Sequence, residues 1–325
     1  MSNATVSRLG QDKGTGDATA NFKDIYSGEV ITAFQNASVT QGRHMTRNID
    51  HGKSASFPIV GIASGGYHTP GTEILGRAIK ATEKTVLIDG LLMSDAFVAE
   101  IDELMNHYDV RSIYSSEQGN FLASVYDRNI LSLAIKAARA ASNLPGSMPG
   151  GSILYDADFR TDAAALAAGL FAARTEMDEK KIPTTDFWGY LRPAQYALLV
   201  EAKETISTLY GGMGSYADGT IFGIAGVPLV KTTDLPVIDL SGDVAIAAAG
   251  IDPALLLTQY RGDFSKTAAV VAHKAAVGTV QLLGLNTTMD WDPRRKGTLI
   301  VSGYVLGSDY LRPECSVELS AQEAP

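Results

Sequence analysis

The stretch from Val110 to Ala141 constrains this chain most. Ile113, Tyr114, Phe121, Val125, Ile130, Leu133 and Ala137 recur at helical spacing, no proline intervenes before Pro145, and Gly119 is the one interruption. At 1.5 Å per residue, a helix over 110–141 spans roughly 48 Å, longer than a small domain is wide. Such a helix acts as a beam, and the rest of the chain has to be arranged along it. The turn-rich "SNLPGSMPGG" ends it and marks a boundary.

On the N-terminal side, residues 1–24 carry Gly10, Gly14 and Gly16 among small polar residues, a composition that cannot offset its own ordering entropy and predicts a mobile arm. Val30, Ile31 and Phe34 in "DIYSGEVITAF" predict a short anchoring helix. Two strand-like stretches, "KSASFPIVGIA" and "EKTVLIDGLLM", flank a segment rich in turn residues and read as a long hairpin; a two-stranded ribbon is marginal alone, so it must lie on a neighbouring surface. Ser94 and Asp95 followed by Phe97, Val98, Ile101, Leu104, Met105 and Tyr108 predict a capped helix before the beam.

Beyond the beam, "TDAAALAAGLFAARTEMDEKKIP" predicts a helix capped by Thr161 or Asp162 and stopped by Pro183. Strand "DFWGYLR", helix "PAQYALLVEAKETI" with Pro193 in its first turn, a glycine loop at 210–219 and strand "IFGIAGVPLVKT" follow. The last third alternates like antiparallel strands, with Gly303 and Gly307 as candidate bulges. The class is α+β, and a chain of 325 residues that is 45 % hydrophobic has enough apolar surface for a sizeable core in two or three domains.

The search for chemistry ends without a catalytic constellation. Gly52-Lys53-Ser54 has the last three letters of a phosphate-binding loop, but Arg47 stands where the first glycine belongs, and the alternation of Ala55, Phe57 and Ile59 with Ser56 and Pro58 announces a strand where a helix is required. His44, His51, His68, His107 and His273 show no metal-ligand spacing and read as solvated or packed. Ser64 in "GIASG" sits one position off a nucleophile elbow, and "GMGSYADG" fails the dinucleotide-binding order. The cluster Asp95, Glu100, Asp102 and Glu103 reads as a solvated helix face. Cys315, the single cysteine, excludes an internal disulfide and reads as a small packed hydrophobe. No catalytic, cofactor-binding or metal residue is expected. A net charge of −9 argues against a chain built to grip nucleic acid, though not against one that surrounds it. No run of 18 apolar residues and no apolar signal core is present, so neither a membrane span nor a classical secretion signal is expected.

Several stretches together, "SGEVITAF", "RHMTRNIDHGKSASFPIVG", "TEKTVLIDGLLMSD", "MNHYDVRS", "HKAAVGTVQL" and "LRPE", resemble the major capsid proteins of T-seven-like podoviruses, the short-tailed bacteriophages. The likeness is close over about 27–139, is carried by short motifs over 270–315, and rests on element order alone between 143 and 262. It implies the Hong Kong 97-type capsid fold. The arm would then be 1–50, the extended E-loop 51–93, the peripheral domain 94–182 plus 263–325 with a spine helix at about 110–141, and the axial domain 183–262.

The resemblance further implies a structural protein and not an enzyme. Its subunits would form hexameric and pentameric capsomers of an icosahedral shell around double-stranded DNA, held without sequence-specific binding and without a membrane. Scaffolding protein and portal are the implied partners, no cofactor is implied, and assembly would occur in the bacterial host cytoplasm, giving the virion capsid. Lys53, Phe57, Tyr67, Ile74, Leu75, Arg77 and Tyr114 are the candidate intersubunit contacts. Lys53, Lys80 and Lys84 have the residue type for a covalent cross-link, but no partner is identifiable and none is expected. Two other readings stay open: an encapsulin-like nanocompartment shell with the same fold, and, more remotely, a nucleotide-binding enzyme acting through Lys53.

Overall fold

A computed structural model of the chain describes residues 29–35, 37–99, 110–202, 214–215, 220–221 and 223–322. The expected mobile arm at 1–24 lies outside the described residues, as does most of the glycine loop at 210–219. A short helical segment at 29–35 precedes strands β1 (Met45–Asn48), β2 (Ser54–Val60), β3 (Ala81–Leu87) and β4 (Leu92–Ala99). Helix α1 (Val110–Arg139), strand β5 (Ser152–Tyr155), helix α2 (Ala163–Glu179), strand β6 (Phe187–Leu191) and helix α3 (Pro193–Glu201) follow. Then come β7 (Gly214–Ser215), β8 (Thr220–Ile221), β9 (Gly223–Ile224), β10 (Val227–Lys231), helix α4 (Asp243–Ala248), β11 (Thr267–His273), β12 (Val277–Asp292), β13 (Gly297–Tyr310) and β14 (Ser316–Ser320). Contacts divide the chain into two units, one of residues 1–38, 89–126 and 283–306, the other of 39–88, 127–282 and 307–325. Helix α1 and strands β12 and β13 contribute residues to both.

In the first unit, β4 pairs antiparallel with β13 from Ala99–Gly297 to Leu92–Tyr304. Val30, Val98, Met289 and Ile300 form a buried cluster, with Leu285 packed against it. The helical segment at 29–35 crosses α1 at Gly119: a Cβ there would lie 2.6 Å from the Ala33 Cβ and 2.8 Å from the Val30 carbonyl oxygen. The residue that interrupts the helical pattern in the sequence is therefore what lets two backbones meet. Phe34, Tyr126 and Tyr304 close this contact in edge-on pairs with ring centroids 5.7, 6.2 and 6.3 Å apart. Ser302 donates to the Gln118 side chain at 3.0 Å, which supplies a buried hydroxyl with an acceptor from α1.

Two expectations fail in this region. The helix predicted from Ser94 onward is strand through Ala99, where Ser94 and Asp95 face Ser302 and Val301 across the ladder and do not cap a helix; its remainder, 100–108, lies outside the described residues. Phe97 and Val98 are neighbours on a helical wheel but opposite on a strand, and here Val98 is buried while Phe97 is exposed. An eight-residue ladder to β13 overrides the helical pattern. Gly303 is not a bulge, since the register runs through its pairing with Met93 unshifted; a Cβ there would lie 2.6 Å from the Leu92 carbonyl oxygen, so its role is close approach.

The second unit is built on a six-stranded sheet of order β5-β14-β11-β6-β10-β9, mixed in direction. Helix α2 buries Leu166, Leu170, Ala173 and Met177 and packs against β14; its N-cap is Asp162, which accepts from the amides of Ala164 and Ala165. Pro193 opens α3, where a missing N–H costs nothing. The last turns of α1 are buried almost all round, with Leu131, Ile135 and Ala137 at zero exposure. The helix ends at Arg139, whose guanidinium forms a bidentate pair with the fully buried carboxylate of Glu318 on β14 at 2.6 and 2.7 Å. Strand β1 pairs in parallel with Gly278–Gln281 of β12.

Candidate assembly surface

Strands β2 and β3 form the expected hairpin, in register from Ser54–Leu87 to Val60–Ala81. The second strand stops at Leu87, before Asp89 and Gly90, rather than continuing to Met93. Alternation decides which side is buried: Phe57 and Ile59 point inward, while Pro58 and Val60 are exposed. Phe57 joins Val86, Val280 and Leu311 in a buried cluster, flanked by Ile49, Ala55 and Ile88. The base of the hairpin is thus part of its own unit's core. Phe57, expected among the intersubunit contacts, is at 9 % exposure and packs within its own unit.

Polar contacts brace the same base. The Lys84 ammonium lies 3.1 Å from the Asp309 carboxylate and 4.1 Å from the centre of the Tyr310 ring. Higher up, the Gly61 amide donates to the Lys80 carbonyl at 2.9 Å, and the Ile62 amide donates to the Ser147 hydroxyl at 3.1 Å. A Cβ at Gly61 would collide with that hydroxyl, so the hairpin approaches the 145–147 loop more closely than any side chain allows. The Lys80 ammonium donates to the Pro145 carbonyl at 3.4 Å.

Past this brace the chain leaves regular structure between Gly61 and Lys80, and the loop is tied together by local hydrogen bonds. Thr72 turns back onto the Thr69 carbonyl, and Arg77 donates to the Gly65 carbonyl at 2.7 Å, linking the two sides of the loop. Tyr67 is fully exposed, and Ile74 and Leu75 are each more than three-quarters exposed. Covering Ile74 and Leu75 would contribute about 1.5–3 kcal/mol each. Ile62 and Ile79 add exposed apolar surface that the sequence reading missed, although both stand in plain view beside the turn residues.

The structure therefore brings Tyr67, Ile74, Leu75 and Arg77 together on one loop. Lys53 is exposed at the opposite end of the hairpin, where its carbonyl accepts from the Ile88 amide. Ser54, the residue after it, begins a strand, so the helix start that a phosphate loop requires is replaced by a β-ladder. Tyr114 belongs to the first unit, on α1, where Ile113, Tyr114 and Phe121 lie on an exposed stripe with Glu117 and Asn120. Adjacent apolar side chains on the solvent side of a helix make a candidate contact surface.

Two titratable groups elsewhere, His44 and Cys315, are held in inert forms. His44 is buried and accepted into the fold through the Thr40 carbonyl at 3.0 Å; burial lowers its pKa to about 4, which keeps the ring neutral. Burial pushes the Cys315 thiol up to about 12, far from nucleophilic use. Among the described residues no group of three or more His, Cys, Asp or Glu is placed to hold a metal ion, and no described helix is long and apolar enough to cross a membrane.

Comparison with known proteins gives a consistent answer. A profile of the Gp10A-like major capsid protein family matches residues 56–320. The major capsid protein of Escherichia phage T7 is 30 % identical over 320 residues, covering 93 % of this chain and 92 % of that protein. The capsid structure of cyanophage P-SCSP1u superposes with a TM-score of 0.78 at 35 % identity, covering 99 % of this chain and all of that one. The mature capsid subunit of bacteriophage PhiM1, at 19 % identity, matches in fold with a TM-score of 0.70, covering 89 % of this chain and 88 % of that one.

Proposed function

The chain belongs to the Gp10A-like family of phage major capsid proteins, and from that premise we propose how its exposed surfaces build a shell. It is a phage major capsid protein with the Hong Kong 97-type fold. In the proposed assembly, subunits join as hexamers and pentamers into an icosahedral shell around double-stranded DNA. The E-loop, at 51–93, lies over an adjacent subunit's spine helix, so that Tyr67, Ile74 and Leu75 gain cover from the stripe that carries Tyr114. The arm at 1–50 crosses neighbours, the peripheral domain comprises 94–182 and 263–325, and the axial domain, 183–262, gathers at capsomer centres. Scaffolding protein and portal act as partners during assembly in the bacterial host cytoplasm.

The observation that carries this reading is the contrast within one hairpin: a base packed into its own core and a tip whose large apolar side chains stand mostly exposed. A contact repeated at every subunit boundary can be modest and still yield a large sum in a closed shell. Modest contacts also dissociate readily, which permits error correction. The negative net charge suits an inner wall that must release DNA as it is packed. The encapsulin-like alternative shares the fold, but the relatives at 30 % identity and above are phage capsid proteins. Electron microscopy of the purified chain, with and without scaffolding protein, tests the proposal. Closed shells or hexameric capsomers are expected, and a stable monomer at every concentration and salt in both conditions would overturn it.

A further inference from the structure

The turn-rich segment that follows α1 does more than stop a helix. Leu144-Pro145-Gly146-Ser147 closes on itself through the Ser147 amide, which donates to the Leu144 carbonyl at 3.0 Å. Proline stands second and a glycine with φ of 77° third, the pattern of a type II turn. Its footing is firm, because Leu144 is buried and the Asn143 side-chain amide donates to the Leu311 carbonyl. Ser147 is thereby held against the neck of the β2–β3 hairpin, where its hydroxyl accepts from the Ile62 amide at 3.1 Å. On the returning side of the neck, the Lys80 ammonium donates to the Pro145 carbonyl at 3.4 Å. Both sides of the neck are tied to one turn. Gly61 admits this contact, since any side chain there would run into Ser147.

We propose that the 144–147 turn is a latch that fixes the direction in which the hairpin presents its tip, with Ser147 and Lys80 as positioning residues. The base of the hairpin is held separately, by Phe57 in its buried cluster and by Lys84 on Asp309 and Tyr310. Phe57 and Lys84 are cross-strand partners, and Gly61 lies four residues further along, about 13 Å at the rise of a strand. One anchor leaves a ribbon free to swing, whereas two at different heights fix its axis. The chain from Gly61 to the turn at Thr69–Thr72 reaches at most about 30 Å. A swing of about 10° at the neck then displaces the loop end by up to about 5 Å, which exceeds the separation at which two carbon atoms attract. Tyr67, Ile74 and Leu75 would miss a surface they otherwise meet. The consequence for assembly rests on the reading of the tip as an intersubunit contact; the latch itself belongs to the single subunit.

The test is the distance distribution between spin labels at Thr69→Cys on the loop and Ala172→Cys on the exposed side of α2, measured by pulsed electron paramagnetic resonance on the full chain as a free subunit. Cys315, the native cysteine, is buried and stays unlabelled. A single narrow peak is expected for the parent chain. Ser147→Ala with Lys80→Met removes both ties and should broaden the peak about twofold or more, while Ser147→Thr with Lys80→Arg, which keep a hydroxyl and a cation, should hold it near the parent width. Because both ties lie at the surface, the melting temperatures of all three should stay close together, so lost direction is not lost folding. Followed by light scattering, with scaffolding protein present if shells need it, the Ala/Met variant should assemble about fivefold more slowly, since its tip must be ordered afresh at each contact. A variant with residues 64–76 replaced by a Gly-Ser turn keeps two failures apart. Normal shells from it would overturn the intersubunit reading of the tip, and the distance distributions would still decide the latch. An Ala/Met peak as narrow as the parent's, or a parental assembly rate for Ala/Met where the tipless chain fails to assemble, would each overturn the proposal.

Discussion

Lys84 of β3 reaches Asp309 near the end of β13 at 3.1 Å while resting on the adjacent Tyr310 ring, so one cation clamps the hairpin base through two kinds of contact. Both charged side chains are only about a quarter exposed. A double-mutant cycle with Lys84→Met and Asp309→Asn should give a coupling of about 0.5–1 kcal/mol, in the upper range for partly exposed pairs, and it should shrink in high salt. Urea denaturation measures it. Zero coupling at low salt would show that the clamp contributes nothing.

The tip should be dispensable for folding and essential for assembly. Replacing residues 64–76 with a short Gly-Ser turn removes Tyr67, Ile74 and Leu75 but leaves the Gly61–Lys80 closure and the Phe57 cluster in place. Loop shortening changes closure entropy by only a few tenths of a kcal/mol. Circular dichroism melting should match the parent chain, while sedimentation velocity, with scaffolding protein present if shells need it, should show no shells. Normal shells from this variant would mean the tip is not the intersubunit clasp.

Gly119→Ala pits local propensity against packing. Alanine improves helix propensity by up to about 1 kcal/mol, but its Cβ would press on the Val30 carbonyl and the Phe34 amide, 2.8 and 3.0 Å away, which are backbone atoms with little room to yield. Overpacking costs of about 1–3 kcal/mol should win, giving a lower melting temperature. A stabilised variant would show that the segment at 29–35 does not cross α1 at this point.

Acid should destabilise the subunit through His44. Its pKa falls from 6.5 unfolded to about 4 folded, chiefly by burial, so the native state binds fewer protons than the unfolded one across that window. The stability His44 contributes is whole above pH 6.5 and is lost as pH falls through 4, a total of up to about 3 kcal/mol. Stability measured in urea from pH 7 to pH 4 should decline with this slope, and His44→Gln should flatten it. An identical slope in the variant would place the acid sensitivity elsewhere.

What the sequence disclosed depended on how local the cause was. The beam helix needs only periodicity and the absence of proline, and α1 runs from Val110 to Arg139 where 110–141 was expected. Asp162 and Pro193 announced helix starts because capping is a matter of a few neighbouring residues. Phe97 and Val98 misled because their strand is imposed by β13, some two hundred residues later. The burial of Phe57 was not legible for the same reason: its partners Val280, on β12, and Leu311, just past β13, lie in segments that nothing near Phe57 foretells. The tip was legible in composition, rich in glycine with a few large apolar residues, whereas its brace by Ser147 was not.

The closure at Gly61 and Lys80 divides the hairpin into a foundation and a replaceable fitting. Everything below it answers to the fold, and in the proposed assembly everything above it answers to the surface of an adjacent subunit. Variation can therefore accumulate between Ile62 and Ile79 without first renegotiating the interior, and foreign peptide inserted at the Thr69–Thr72 turn, where Gly71 has open space around it, burdens docking and not folding. A lineage of such chains could change how its shells lock together while leaving the building block itself untouched.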